Sequence, residues 1–251
     1  MKWLWRAATA ALAIGVAQQA AAAEIKVLCI PAWKASFAVV LPQFERETGN
    51  KVTLHYAIYP QQKQQIESGE FDVAIFATPQ IDDLIKQGRL VSGSNVDIAR
   101  SSIGVAVRAG AAKPDISTEE AFKKTLLAAK SITYTKESQT GVYLKKQLER
   151  IGVADAIKDK LILQPAGAMT TPAVAKGEAE LAIVLVSDIL GTPGVDLVGP
   201  LPESLQHYVM QTAGLGAKAK EPTAGAAFIK YLASNAAGAV FKAKGLEPPP
   251  R

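Results

Sequence analysis

From residue 25 onward, short apolar runs alternate with amphipathic stretches, and turn residues separate them. Residues 25–30 read as a strand. Residues 35–48 read as a helix, with Phe37, Val40, Leu41 and Phe44 on one stripe and Gly49-Asn50 as its stop. The same alternation predicts strands over 52–56 and 71–76 and helices over 61–68 and 81–87, ended by Gly69 and Gly88. A β-α-β-α-β-α order implies a mostly parallel sheet with helices on both faces.

A second set follows. Residues 103–107 read as a Gly-containing strand, and Ser117-Thr118-Glu119-Glu120 as a capping box opening a helix toward residue 130. Strands are predicted over 131–135, 161–163, 181–186 and 195–198, with helices over 141–150 and 172–176. Residues 209–215 return toward the first set. Two helical patches, 223–233 and 235–244, precede the stiff Pro248-Pro249-Pro250 tail. No linker or repeat separates the sets. The fold class is therefore α/β, with two lobes, each a mostly parallel sheet flanked by helices, joined by crossover strands. Residues 24–103 and 208–251 are assigned to lobe 1 and residues 104–207 to lobe 2.

The amino-terminal stretch adds a destination. Lys2 and Arg6 precede an Ala-rich apolar run over 7–17, shorter than the roughly 20 residues a bilayer span needs. Ala21 and Ala23 supply an A-x-A site, so residues 1–23 are expected to be a cleavable export signal and Glu24 the mature start. The expected location is the periplasm. Two of the 28 Lys and Arg residues fall in that segment, leaving 26 against 23 acidic residues, a charge of about +3. With no dense basic run, that balance points away from nucleic acid and suits an anionic solute. The lone Cys29 cannot form an internal disulfide. His55 and His207 lack companion ligands, so neither a metal site nor a cofactor is expected. There is no Ser-His-Asp constellation, nucleophile elbow, phosphate loop or dinucleotide fingerprint.

Four landmarks stand in a particular order. They are Gln43-Phe44-Glu45 with Thr48-Gly49, Gln65-Ile66-Glu67-Ser68-Gly69 leading into Phe71-Asp72-Val73, Gly141-Val142-Tyr143, and Gly177-Glu178-Ala179-Glu180-Leu181-Ala182 leading into Ser187-Asp188. In these the chain resembles, over its whole mature length, the type II periplasmic solute-binding proteins, in the branch of the molybdate-binding components of ABC transporters. Residues 97–110, 114–118 and 198–202 resemble a less characterised sub-branch, and the exported aconitate isomerases also resemble the general family. The resemblance implies a monomeric receptor that closes on a small anion and hands it to an inner-membrane ABC permease, or an enzyme on the same scaffold. In the molybdate binders a serine opens the first helix, a serine pair precedes the second, and a tyrosine lies on a late strand. Here Ala32, Ile58-Tyr59-Pro60 and Leu185 fall at those places. A desolvated tetrahedral oxyanion needs many donors, so the departures favour a small organic carboxylate over molybdate.

Candidate contacts follow from the same frame. Lys34 falls in the first turn of the first helix, beside Ala32 and Trp33. The helix dipole disfavours a cation there unless an anion sits between them. Tyr59 and Gln61 follow the second strand and Thr78 the third, at the strand ends where α/β sheets bind ligands. In the second lobe, the free N–H groups of Thr140, Gly141 and Val142 open a helix, and Met169 and Thr170 belong to a similar loop. Arg100 is a candidate carboxylate clamp. An isomerase of aconitate type needs a base beside an activated C–H, for which Lys34, His55, Glu137 and Tyr143 are the candidates.

Overall fold

The computed structural model describes residues 22–57, 59–165 and 167–250, so all but the last two residues of the expected export signal lie outside the described residues. Lobe 1 opens with β1 (Glu24–Cys29), α1 (Lys34–Thr48), β2 (Lys51–Tyr56), α2 (Lys63–Ser68), β3 (Val73–Ala77) and α3 (Thr78–Lys86). Strand β4 (Val96–Arg108) leads into lobe 2, which holds α4 (Glu119–Ala128), β5 (Ile132–Thr135), α5 (Gln139–Arg150), α6 (Ala154–Ile157), β6 (Leu161–Gln164), α7 (Thr170–Lys176), β7 (Leu181–Leu185), α8 (Val186–Leu190) and β8 (Val195–Pro200). Strand β9 (Tyr208–Leu215) returns to lobe 1, followed by α9 (Pro222–Leu232) and α10 (Asn235–Ala243).

The first sheet runs β2-β1-β3-β9-β4, and the second runs β4-β7-β5-β6 with β8 on the other side of β4. Strand β1 pairs parallel with β2 and β3, as β5 does with β6 and β7. Strands β9 and β4 run antiparallel to their neighbours and make both sheets mixed. Strand β4 belongs to both. Its residues up to Ser102 pair with β9, and from Ile103 onward it pairs with β7 and β8.

The expected strand at 103–107 is thus only the second half of β4. The first half hides its strand character behind polar positions. Asp97 there accepts a hydrogen bond from Thr212 Oγ1 at 2.6 Å. The expected capping box also shifts by one residue. Thr118 caps α4 by accepting from Ala121 N at 3.1 Å, while Ser117 N is taken by Asp115 Oδ1 at 2.9 Å. Ala121 has no carboxylate to return the bond, so the reciprocal arm is missing.

Apolar stripes on α1, α9 and α10 bury an aromatic cluster in lobe 1. Trp33 stacks on Phe37 at 5.0 Å and meets Phe241 edge-on at 5.1 Å, while Phe44 meets Phe228 at 5.0 Å. Lobe 2 packs Phe122, Leu126, Leu144 and Leu148 against Ile103, Ile132 and Ile183. The buried Asp72 explains one landmark. Its carboxylate accepts from Lys26 N and from Glu221 N, both at 2.8 Å, and so ties β1 to the start of α9. Cys29 is fully buried, and burial pushes its thiol pKa up, which leaves it inert.

Candidate ligand-binding cleft

A cavity of about 260 Å³ lies where the carboxyl ends of β1, β2 and β3 face those of β5, β6 and β7. These are the strand ends at which α/β sheets place their ligands. Lobe 1 lines it with Ile30 to Ala32 after β1, Tyr59 after β2, Ala77 and Gln80 around the start of α3, and Val209 and Gln211 of β9. Lobe 2 adds Thr135 and residues 137–140 after β5, Pro165 and Gly167 after β6, and Ile183 to Leu185 with Asp188 around β7 and α8. Two larger grooves, of about 680 and 800 Å³, are confined to residues 107–131 and 177–208. Neither receives parallel-strand carboxyl ends from both lobes.

Helix starts dominate the electrostatics. Helices α1 and α3 begin without a side-chain cap, and the N-cap of α3 is Ala77, whose side chain can accept nothing. At α3 unpaired N–H groups and the positive end of the dipole therefore meet the cavity, whereas α1 continues a 3-10 turn over Pro31–Trp33 in which the N–H groups of Trp33 and Lys34 are bonded to Ile30 O and Pro31 O. Helix α5 enters from the other side. Ser138 Oγ accepts from Gly141 N at 3.0 Å and sets its first turn. That turn folds so tightly that a Cβ on Gly141 would lie 1.7 Å from Thr135 O.

Among the described residues no cationic side chain lines the cavity; besides Tyr59, its ionisable groups are Glu137 and Asp188. Tyr59 meets Phe76 edge-on at 5.1 Å, and burial raises its pKa, so its hydroxyl stays a donor. Asp188 is half-buried, and loss of water pushes its carboxyl pKa up to about 7. Gly167 leaves the space beside it open: the point where a Gly167 side chain would begin lies 3.8 Å from Asp188 Oδ2 and 3.7 Å from Thr135 Oγ1. Gln211 is 3 % exposed, and its Oε1 has no hydrogen-bond partner.

The expected contacts divide by position. Ala32, Tyr59, Thr140 and Glu137 line the cavity. Trp33 instead belongs to the lobe 1 core, held there by Phe37 and Phe241. Arg100 is turned away from the cleft and spent on Glu247, with Nη2 and Nε 2.9 and 3.2 Å from Oε2, and stacks 4.0 Å over Tyr208. Lys34 is exposed, with Nζ 5.4 Å from the ring centre of Tyr56. Gln61 is exposed too, while its neighbour Gln62 is buried and donates to Cys29 O and Ala57 O. The Thr78 hydroxyl is occupied by Thr212, and that of Thr170 by Thr135. Gly141 is buried behind Thr135, and Val142 and Met169 are solvent-exposed outside the cavity lining. His55 is exposed on β2, and Tyr143 bonds Leu205 O and Gln206 O, so neither lines the cavity. Sequence reasoning missed Gln80, Gln139, Asp188 and Gln211. Asp188 carried a signal, because it closes the Ser187-Asp188 landmark.

The model of the bacterial extracellular solute-binding protein family matches residues 25–247. The chain belongs to this family. Among relatives, this solute-binding protein is 34% identical to the aconitate isomerase of Pseudomonas sp, over 84% of this chain and 82% of that one. It is 31% identical to the molybdate-binding protein ModA of Azotobacter vinelandii, over 90% of each chain. The solved substrate-binding domain of a putative molybdenum ABC transporter from Clostridium difficile superposes with a TM-score of 0.74 at 22% identity, over 91% of this chain and all (100%) of that one. The two-lobed architecture of the solute-binding protein is thus that of the molybdate-binding folds.

Proposed function

We propose that the protein is a periplasmic receptor that captures a small organic carboxylate in the interlobe cleft and passes it to an inner-membrane ABC permease. The carrying observation is a cavity that faces the uncapped start of α3 yet also presents acceptors, Asp188, Glu137 and Gln211, and, among the described residues, no cation. Ala32 and Leu185 offer no hydroxyl to a metal oxyanion. The volume of about 260 Å³ equals roughly nine waters at ~30 Å³ each, which suits a di- or tricarboxylate better than a single tetrahedral ion. N–H groups at the start of α3 and of Gln139 and Thr140 at the start of α5 hold the carboxylates, and Tyr59, Gln80, Gln139 and Thr140 add side-chain donors. Residues 1–23 direct export, and the receptor acts as a monomer. Thermal-shift measurements test the choice of ligand. A ligand at a hundred times its Kd adds about 2.7 kcal/mol, or roughly 5–10 °C for a chain of this size. Organic acids are expected to give such a shift. A shift with molybdate or tungstate and none with organic acids overturns the reading.

One observation favours an enzyme of aconitate isomerase type as a second reading. Asp188 lies in the cleft with a carboxyl pKa near 7, the range a general base needs, and the isomerase relative is 34% identical. Proton NMR of trans-aconitate with the purified protein decides it: appearance of the cis isomer supports the enzyme, and binding without turnover supports the receptor.

A further inference from the structure

The two walls of the cleft each hold an acceptor that no donor among the described residues satisfies. On lobe 2, Asp188 projects from α8, and among the described residues no donor reaches its carboxylate. On lobe 1, Gln211 Oε1 is buried without a partner. A buried acceptor such as Gln211 Oε1 is uncommon inside proteins, because an acceptor stripped of water without a donor costs stability, while the half-buried Asp188 carboxylate is left to cleft water. Both line a cavity whose other feature, the uncapped start of α3, draws anions.

We propose that Asp188 takes up one proton when the cleft takes up its ligand and then donates its O–H to a ligand carboxylate, while Gln211 Oε1 accepts from a hydroxyl of the same ligand. The proposal rests on the reading of the cargo as an organic carboxylate and narrows it to hydroxy acids.

Two carboxylates in contact cannot both stay ionised in a dehydrated space. One proton shared as O–H···O⁻ replaces the repulsion with a short, strong bond. The proton comes from solvent and settles on an Asp188 oxygen; no other bond is made or broken. Tyr59 from lobe 1 and Glu137 from the β5–α5 turn are the other titratable groups lining the space, and β4, β7 and β8 present none to it. Tyr59 stays neutral at physiological pH because burial raises its pKa. Burial alone accounts for the raised carboxyl pKa of Asp188, which marks it as the group poised to exchange a proton. Gln211 adds the second demand. Its carbonyl oxygen can only accept, so a ligand that fills the cleft without a hydroxyl leaves it unpaired.

Isothermal titration calorimetry with succinate, malate, tricarballylate, citrate and trans-aconitate, in buffers of different ionisation enthalpy, tests both halves. With a free-state pKa of about 7, uptake rises from about a tenth of a proton per ligand at pH 6 to about nine tenths at pH 8, and affinity falls about tenfold. In Asp188→Asn the amide still donates, so binding persists. Its uptake drops to the baseline set by the ligand's own carboxyls, and the tenfold pH dependence disappears. Malate binds at least about tenfold more tightly than succinate, and citrate than tricarballylate, with Gln211→Leu erasing the difference. Wild-type binding without proton uptake beyond the Asp188→Asn baseline, or with no preference for the hydroxyl, overturns the proposal and leaves the carboxylate receptor standing. Failure of all five acids to bind removes the receptor reading and this proposal together.

Discussion

The side-chain amide of Gln206 bonds both main-chain groups of Ile103: Ile103 N donates to Oε1 at 2.8 Å, and Nε2 donates to Ile103 O at 2.9 Å. Ile103 is the residue at which β4 leaves the first sheet for the second. Gln206 lies in the returning segment between β8 and β9. A side chain therefore does there what a neighbouring strand does elsewhere, and ties the outgoing and returning crossings together. Oε1 also accepts from His207 N at 2.9 Å, which holds the amide in place. The two connections form one braced joint at the crossing between the two sheets.

Removal of the brace is expected to show in stability and in local opening. Gln206→Ala leaves Ile103 N without an acceptor, at a cost of about 1–3 kcal/mol. For a chain of this size that is a fall in Tm of roughly 2–4 °C per kcal/mol. Hydrogen exchange at the Ile103 amide should accelerate while the cleft-lining helices keep their protection. An unchanged Tm with unchanged exchange rules out the brace.

Arg100 serves the carboxyl-terminal strap. Its main chain exchanges hydrogen bonds with Glu247 at 2.8 and 2.7 Å, beside the side-chain ion pair. The pair is partly exposed, so its own worth is near 1 kcal/mol or less, with about 0.5–1 kcal/mol more from stacking on Tyr208. Arg100→Met should lower stability by about 1–2 kcal/mol in urea unfolding and leave ligand affinity unchanged within about twofold. A loss of affinity above about tenfold would restore Arg100 to the role of carboxylate clamp.

Local rules made much of the fold legible, and long-range ones hid the rest. Val73 to Ala77 is buried at every position and reads as a central strand, while Gly49 and Gly69 take the positive φ that ends α1 and α2. Ala32, Tyr59 and Thr140 were visible because a strand end followed by a helix start is a local pattern. Arg100 and Trp33 were misplaced because their partners lie far away in the chain: Glu247 is 147 residues from Arg100, and Phe241 belongs to α10. The direction of β9 and the first half of β4 depend on each other's pairing and on no local pattern. Asp188 stood in a landmark, yet its raised carboxyl pKa comes from burial in the packed lobe, which residue types do not encode.

Gly141 is the glycine with the closest backbone approach, just behind the cleft wall. Any side chain there drives its Cβ into Thr135 O, a rigid backbone atom, at 1.7 Å. Gly141→Ala must therefore push the start of α5 away from β5, breaking the Ser138 cap and turning the helix start off the cavity. The expected cost exceeds about 3 kcal/mol, with loss of ligand binding at temperatures where the variant remains folded. Near-wild-type affinity in a folded Gly141→Ala protein would show that α5 does not contact the ligand. Gly238, where an added Cβ meets nothing within 4 Å, is the control, and Gly238→Ala should be neutral or slightly stabilising.

Asp188 makes the empty receptor weaker as pH rises. Its carboxyl ionises near pH 7 when folded and near 3.9 when unfolded. Between these values the folded chain holds a proton that the unfolded chain has released, so the contribution of this group declines as pH climbs through the window and is flat above it. Three pKa units at 1.36 kcal/mol each set an upper bound near 4 kcal/mol, and contact with cleft water reduces it to about 2–4 kcal/mol. Asp188→Asn removes the titration. The variant should match the wild type at pH 4 and exceed it by about 2–4 kcal/mol at pH 8, read from urea unfolding of both proteins at pH 4, 6 and 8. The difference between the two curves cancels every other titrating group, so a difference that stays flat with pH would mean that Asp188 ionises as an ordinary surface carboxylate. Proton uptake makes ligand binding to the wild type weaker at pH 8, so added citrate or malate should raise the stability of the wild type there by less than that of Asp188→Asn.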